Sequence, residues 1–319
     1  MATQHAHPTK HRLPVVASLL GIGSGLVWSF GAILSRKADG VDAFQYMVWR
    51  SVGIILVMEV LHLVTGGFRG RGERYVPRTI VAWTSGRTMA WANVGLFLAS
   101  LAFVYAVKTT TAANAAFLSS LTPLVAVVFA RFLGERLTRS TIVAIAVGVV
   151  GLVVTVLGDL EAGNMLGNSS ALLASVGFAL YTVCLRTDQA RDWSPVLSGY
   201  ALMMIVVCGA VSLAKGNTLL PEVADIALAL VHGAVVIVVG TLMFNAATKQ
   251  VPAVPMTVFA QTEMVFVPVW AFVVLDDRPA ALTIIGGCVI FSAVIGKALY
   301  DAAGGRKVQY TVAPDVPLM

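Results

Sequence analysis

Long apolar runs alternate with short polar corners along almost the whole chain. Each run is close to the ~20 residues that an α-helix needs to cross the hydrocarbon core of a bilayer. Because backbone groups in lipid must be satisfied within the segment, the runs predict ten transmembrane helices and an all-α integral membrane protein. The predicted spans are 13–35, 43–65, 87–107, 109–131, 140–158, 168–186, 195–214, 226–248, 253–275 and 281–300.

Composition agrees with this prediction. Apolar residues make up 58% of the 319 residues, charged residues make up 12%, and the mean hydropathy is +0.84. Soluble domains carry about 25% charged residues, so this chain cannot cover a surface that faces water. The net charge of +6 does not indicate nucleic acid binding, because the Lys and Arg residues lie in short loops, where they set orientation. We expect the lipid bilayer as a partner, and no nucleic acid.

The positive charges also predict which way the chain crosses the membrane. Sixteen of the 22 Lys and Arg residues lie in segments on the same side as the N-terminus, and five lie on the other side. The remaining one, Arg50, falls within the second span. By the positive-inside rule, both termini are cytoplasmic, which makes 1–12 and 301–319 cytoplasmic tails.

The runs form two related halves. Residues 133–136 (LGER) close the fourth span, and residues 275–278 (LDDR) close the ninth, 142 residues later. The chain therefore divides into repeats 13–158 and 168–300, joined by an extracytoplasmic linker, 159–167. Because each half has five spans, the second must be inverted relative to the first, which is a plan typical of transporters. The corner residues expected to stabilise the turns are Glu135, Arg136, Asp277 and Arg278.

Catalytic and metal-binding motifs are absent from the sequence. It contains no Walker loop, GxSxG, HExxH or dinucleotide fingerprint, so ATP-driven transport would require another protein. The three cysteines, Cys184, Cys208 and Cys288, lie inside apolar runs without metal-ligand spacing. We expect no enzyme activity, no cofactor and no metal.

Two charged residues inside predicted spans are the strongest candidates for function, because intramembrane charges are expensive. Glu263 lies about ten residues into the ninth span and is interpreted either as a proton-coupling or amine-binding group, or as a structural carboxylate bonded to another helix. Arg50 lies about seven residues into the second span. It either has a structural or gating role or binds a substrate carboxylate.

Uncharged polar and aromatic residues within the spans complete the predicted site. A binding cavity needs several convergent polar groups on apolar walls, although any one of them can instead bond between helices. The predicted substrate-binding residues are Trp28, Asn93, Asn114, Ser119, Ser120, Tyr181, Tyr200, Asn245 and Gln261. Thr122 and His232 belong to the same wider set of polar groups.

Several of these residues carry a resemblance to a known family. Residues 121–124 (LTPL) run on to 133–138 (LGERLT), Arg50 lies in the second span, and a weaker copy runs from 267–269 (VPV) to 275–278. Over the membrane region the chain resembles the drug/metabolite transporter superfamily, and within it bacterial EamA-type exporters with ten helices. The resemblance implies a secondary carrier of the bacterial inner membrane that exports amino acids or small metabolites through a central cavity.

We therefore expect a secondary active transporter that works by alternating access on a small-molecule substrate, with proton coupling as one option. One alternative is an obligate exchanger of anionic metabolites in which Arg50 binds the anion. Another is a non-transporting membrane scaffold, which predicts no cavity. Pairs of small residues four apart permit close helix contacts within a monomer or in a homodimer.

Overall fold

The computed structural model describes residues 15–66, 75–132, 139–158, 165–188, 190–250, 259 and 261–303. In these residues the regular structure is entirely helical. The helices are α1 Val15–Lys37, α2 Ala43–Gly66, α3 Arg78–Thr84, α4 Arg87–Thr109, α5 Ala112–Ser119, α6 Thr122–Phe132, α7 Arg139–Leu157, α8 Met165–Thr187, α9 Pro195–Ala214, α10 Val223–Val231, a π-helical turn His232–Ile237, α11 Val238–Thr248, α12 Thr262–Leu275 and α13 Ala281–Ala303.

Eight helical segments of the described residues are long and apolar enough to cross a membrane. Two of them are composite, Ala112–Phe129 from α5 and α6 and Val223–Thr248 from α10 to α11. Two further apolar helices are shorter, Thr262–Leu275 and Ala281–Lys297. Each of the ten predicted spans overlaps a described helix, while the count of ten crossings stays a prediction. Seven residues near the start of the predicted ninth span, 253–258 and 260, lie outside the described residues.

The predicted fourth span is not one continuous helix, because the chain breaks its helical ladder between α5 and α6. Pro123 has no N–H to donate and disfavours helical geometry in the residue before it. Local hydroxyls bond to carbonyls at the break instead, with Ser120 Oγ donating to Phe117 O at 2.6 Å and Thr122 Oγ1 to Ser119 O at 2.8 Å. The break therefore lies beside the polar residues that the sequence singles out.

The π-helical turn interrupts the predicted eighth span. Such turns insert one extra residue per turn and are frequent at functional sites. Here the turn allows a very close helix approach, because a Cβ added at Gly233 would collide with the backbone carbonyl of Arg50 on α2. The turn thus brings His232 and Arg50 into the same region.

The helix ends form two opposite faces, which we name after the cavity described below. The closed face contains the α1–α2, α4–α5 and α9–α10 connections, the start of α8 and the end of α12. Its contacts are Arg36–Asp277, Asp42–Lys215, Gln45–Thr218 and Thr110–Asn168. At the mouth face, Thr79 bonds Glu59 and so joins α3 to α2. Arg78–Asp192 and Arg191–Ser85 join α3 and the residue after it to the α8–α9 connection.

Helices α4 and α8 pack against each other through glycines. A Cβ at Gly95 would lie 2.8 Å from the backbone nitrogen of Tyr181 and 2.9 Å from the carbonyl of Gly177. Small residues at such contacts let two helix backbones approach closely. This contact joins the third helix of the first predicted repeat to the first helix of the second.

Candidate functional site

A cavity of about 330 Å³ lies between helices of both predicted repeats. Its walls come from α1, α2, α4, α5, α6, α8, α9, the π-helical turn, α11 and α12. It extends to the mouth face, where it is lined by Arg191, Asp192, Trp193, Ser194, Thr248 and Lys249. No closed-face contact residue is among the described residues that line it, so the cavity opens at one face.

Seven of the residues predicted for the site line this cavity. They come from six segments that are distant in sequence, with Gln261 and Glu263 sharing the last one, so the fold brings them together. They are Trp28, Arg50, Ser119, Tyr200, Asn245, Gln261 and Glu263.

The other four predicted substrate-binding residues lie outside the lining, at helix contacts. Asn93 Nδ2 donates to Ala82 O at 2.9 Å and holds α3 against α4. Asn114 lies in the first turn of α5, where its backbone N–H donates to the N-cap hydroxyl of Thr111 at 3.1 Å. Ser120 bonds within its own helix break, as described above.

Tyr181, the fourth of these, is buried behind the cavity wall. Its hydroxyl donates to Asn245 Oδ1 at 3.1 Å. The amide nitrogen Nδ2 of Asn245 is buried and has no partner among the described residues. Tyr181 therefore orients a lining residue without lining the cavity itself.

Arg50 is 2% exposed and is the most voluminous of the fully buried side chains described. Its Nη2 donates to Ser100 Oγ on α4, and its Nε is buried without a hydrogen-bond partner among the described residues. The ion pairs formed by the described residues do not join Arg50 to Glu263. A buried guanidinium with an unused donor at a cavity wall is suited to bind an acceptor group.

Glu263 lies at the start of a helix. It is the second residue of α12, half-buried, and lines the cavity. Helix α1 runs against this point, since a Cβ at Gly25 would lie 2.9 Å from the backbone nitrogen of Glu263. The neighbouring Gln261, the residue before α12, has a buried Oε1 without a described partner. Glu263 and Gln261 thus line the same cavity.

His232 belongs to the wider set of polar groups but not to the predicted substrate-binding residues, and it lines the cavity. It is 3% exposed, begins the π-helical turn, and its Nδ1 lies 2.8 Å from the hydroxyl of Tyr46 on α2. Its imidazole polarity marks it in the sequence among other intramembrane polar residues. Its pairing with Tyr46, 186 positions away, carries no sequence signal.

Aromatic rings form the apolar wall. Trp28 lies 6.0 Å from Phe178 in an edge-on arrangement and 5.4 Å from Phe244, measured between ring centroids. Phe178 also lies 5.7 Å from Tyr181. Such clusters combine large apolar area with fixed geometry. The cavity therefore offers an aromatic surface between polar groups.

Ion pairs hold the closed face. Arg36 Nη2 lies 3.1 Å from Asp277 Oδ2, and Lys215 Nζ lies 2.6 Å from Asp42 Oδ2. Burial tends to raise the pKa of Asp42, but hydrogen bonds from Lys215 and from the backbone of Gln45 outweigh it and hold that pKa below its ordinary value.

The predicted corner residues behave differently from one another. Asp277 is not confined to its own turn, because it also accepts from Ala112 N at 3.0 Å. Arg278 is exposed and pairs locally with Asp276, the left-handed residue after α12, at 3.1 Å. Glu135 and Arg136 lie outside the described residues.

At the mouth face, Arg78 Nη1 lies 2.9 Å from Asp192 Oδ2. Burial tends to raise the pKa of Asp192, but hydrogen bonds from Ser194 and Arg78 hold it below its ordinary value. Arg191 donates to the carbonyl of Ser85. These contacts fix the α8–α9 connection beside the opening. In the part of the chain that is described, no cluster of three or more His, Cys, Asp or Glu residues is arranged to bind a metal ion.

Comparisons with known proteins assign the fold and the family. Twelve chains of solved structures match, and one of them, a crystal structure described only as that of a protein, has 19% identity and a TM-score of 0.63 over 92% of this chain and 98% of its own. At that identity the likeness shows the fold alone. A comparison with curated proteins found no match. The model of the EamA-like transporter family matches the chain twice, over residues 15–157 and 165–297. The chain therefore belongs to the EamA-like transporter family.

Proposed function

We propose that this protein is a secondary active transporter that exports amino acids or other small metabolites by alternating access. The observation that carries the proposal is one cavity, built by both repeats, that opens at the mouth face and is closed by ion pairs at the other. A carrier has to present one site to each side in turn, and this arrangement corresponds to one of its two states.

Ten crossings in two inverted repeats are part of the proposal. Helix α1, the first of the first repeat, ends at the closed face, where Arg36 meets Asp277. Helix α8, the first of the second repeat, begins at that face, where Asn168 meets Thr110. Opposite directions of equivalent helices support an inverted relation. The excess of Lys and Arg supports a cytoplasmic mouth face, with both termini on that side of a bacterial inner membrane.

The chemistry of the lining supports a small substrate that carries both hydrogen-bond donors and acceptors. Arg50 Nε and Asn245 Nδ2 are unused donors, and Gln261 Oε1 is an unused acceptor. The rings of Trp28 and Phe244 supply an apolar wall between them. Leaving such buried polar groups unpaired is costly, and a bound substrate would satisfy them.

Glu263 supports coupling to protons. Its side chain is half-buried at the cavity wall and has no ion-pair partner among the described residues. Such a carboxylate can exchange a proton with whichever side of the membrane the cavity faces. The proton and the substrate would then share one cavity, which is a simple way to couple their movements.

An obligate exchanger of anionic metabolites is the second candidate, and the unused Nε of Arg50 favours it. A scaffold without transport is less well supported, because that alternative predicts no cavity and one is present.

Two steps test the proposal. A thermal-shift screen of the purified protein against metabolites finds ligands, because a ligand stabilises the state that it binds. Each ligand is then tested in proteoliposomes for saturable flux with and without a pH gradient. We expect net efflux that a pH gradient drives. Counterflow that persists without a gradient and without net efflux would support the exchanger, and no saturable flux across the panel would support the scaffold.

A further inference from the structure

Both ion pairs of the closed face join one repeat to the other. Arg36 at the end of α1 meets Asp277 after α12 at 3.1 Å. Asp42 before α2 meets Lys215 after α9 at 2.6 Å. Each pair therefore fixes the distance between segments that must separate if the cavity is to open at this face.

The Arg36–Asp277 pair is the more extensively connected of the two. Asp277 Oδ2 also accepts from Ala112 N, the first residue of α5, at 3.0 Å, where a negative charge complements the helix dipole. Arg36 Nη2 also donates to Thr110 O at 3.1 Å. The single carboxylate thus holds α12 against both α1 and α5. The side chains are only 31% and 15% exposed.

The second pair is surrounded by contacts to backbone carbonyls. Gln45 Nε2 donates to Thr218 O and Trp49 Nε1 donates to Leu219 O, both at 2.8 Å. Lys108 Nζ donates to the carbonyls of Ala38 and Val41. These bonds attach the start of α2 to the α9–α10 connection and the α1–α2 connection to α4. They do not involve α12, so the polar contacts described between other helices and the end of α12 at this face are those of Asp277.

We propose that the Arg36–Asp277 ion pair is the latch that keeps the cavity closed at the face opposite its mouth. The latch rests on the proposed alternating access and assigns its closing contact to particular side chains. Exposed and half-exposed ion pairs are modest in strength, so such a contact can break in each cycle. When it breaks, the closed-face end of α12 loses its ion pair with α1 and can lose its hydrogen bond to α5.

The latch can be tested without knowledge of the substrate. The starting variant has its three native cysteines replaced by alanine and a single cysteine introduced by Ser119→Cys at the cavity wall. It is reconstituted, and a charged, membrane-impermeant thiol reagent is added from the closed face. Asp277→Asn removes the charge but keeps an oxygen that can accept from Ala112 N. We expect it to raise the labelling rate about two- to fivefold, the range that loss of an exposed ion pair produces.

Three further variants define the outcome. Arg278→Gln removes a charge from the same turn without breaking a contact between helices, and we expect it to leave the rate unchanged. Arg36→Gln removes the other half of the latch and should raise the rate as Asp277→Asn does. The double variant Arg36→Asp, Asp277→Arg restores the ion pair but not the hydrogen bond from Ala112 N, so it should bring the rate only part of the way back to that of the starting variant.

The latch is overturned if Asp277→Asn and Arg36→Gln label at the starting rate, or if Arg278→Gln raises the rate as much as they do. Flux in the same vesicles separates this failure from failure of the proposed function. Normal flux with unchanged labelling rejects the latch alone. Altered labelling without flux of any screened metabolite supports the latch and rejects transport.

Discussion

Among single residues, Arg50 and Glu263 are the basic and acidic residues that line the cavity away from its mouth, and their surroundings differ. Arg50 is buried and bonded to Ser100, and its buried Nε has no described partner. Glu263 is half-buried at the start of α12. The first is fixed in position by another helix, whereas the second has access to the space of the cavity. Substrate anchoring by Arg50 and proton exchange by Glu263 are therefore the proposed roles, and each makes a prediction.

Replacement of Glu263 tests the coupling. Glu263→Gln keeps the size of the side chain but cannot release a proton, so flux driven by a pH gradient should fall to the level of empty vesicles while counterflow of the same ligand persists. The measurement is flux in proteoliposomes at several gradients. Glu222→Gln makes the same chemical change at an exposed residue before α10 and should have no effect. Unchanged pH dependence in Glu263→Gln would mean that the carboxylate is structural.

Replacement of Arg50 tests the anchor. Arg50→Lys keeps the charge but loses the planar set of donors, so ligands with a carboxylate should bind about tenfold more weakly, which is ~1.4 kcal/mol. The measurement is ligand affinity from thermal-shift titration. Arg278→Lys, at an exposed pair, is the control. Equal affinity combined with a lower melting temperature would identify Arg50 as structural.

At the scale of helices, the irregular segments build the site. The α5–α6 break contributes Ser119 and Thr122 to the lining, and the π-helical turn contributes His232. Both interruptions leave backbone and side-chain polar groups inside a bundle of otherwise apolar helices. Interruptions of the α-helical hydrogen-bond pattern at membrane depth are tolerated beside a cavity, and both of these segments border this one.

Gly233 provides a prediction about the π-helical turn. Gly233→Ala would place a methyl group against the backbone carbonyl of Arg50, so α2 or the turn would have to shift. Overpacking of this kind typically costs about 1–3 kcal/mol, which should lower the melting temperature of the purified protein. Gly296→Ala is the matched control, because nothing lies within 4 Å of a Cβ at Gly296. Equal melting temperatures for the two variants would contradict the close approach.

Hydropathy predicts where the described helices lie, because twenty apolar residues in a row have few alternatives to a membrane span. It does not reveal the break at Ser120, which Pro123 and the local hydroxyls favour, and it cannot predict the π-helical turn, since that depends on how neighbouring helices pack. The charges of Arg50 and Glu263 are conspicuous in apolar runs and can be selected from the sequence. The positions of Asn93 and Tyr181 cannot, because an uncharged polar group bonds a neighbouring helix as readily as it faces a cavity.

At the scale of the whole molecule, the two faces differ in what closes them. The mouth face leaves the cavity open beside Arg191 and Lys249. The closed face is joined by ion pairs that bridge the repeats. A rocking motion of one repeat against the other would exchange these conditions, opening one face while closing the other. The central claim is that a single cavity is exposed to each side in turn.

Labelling of one cavity cysteine from both sides tests that claim most directly. The protein carrying Ser119→Cys, with its native cysteines replaced, is reconstituted in two separate preparations, one with the mouth face outward and one with the closed face outward. The impermeant reagent is added to the outside of each. We predict rapid labelling from the mouth face, slower but measurable labelling from the closed face, and protection from both sides by a ligand that raises the melting temperature. Labelling from one side only, with and without that ligand, would contradict alternating access.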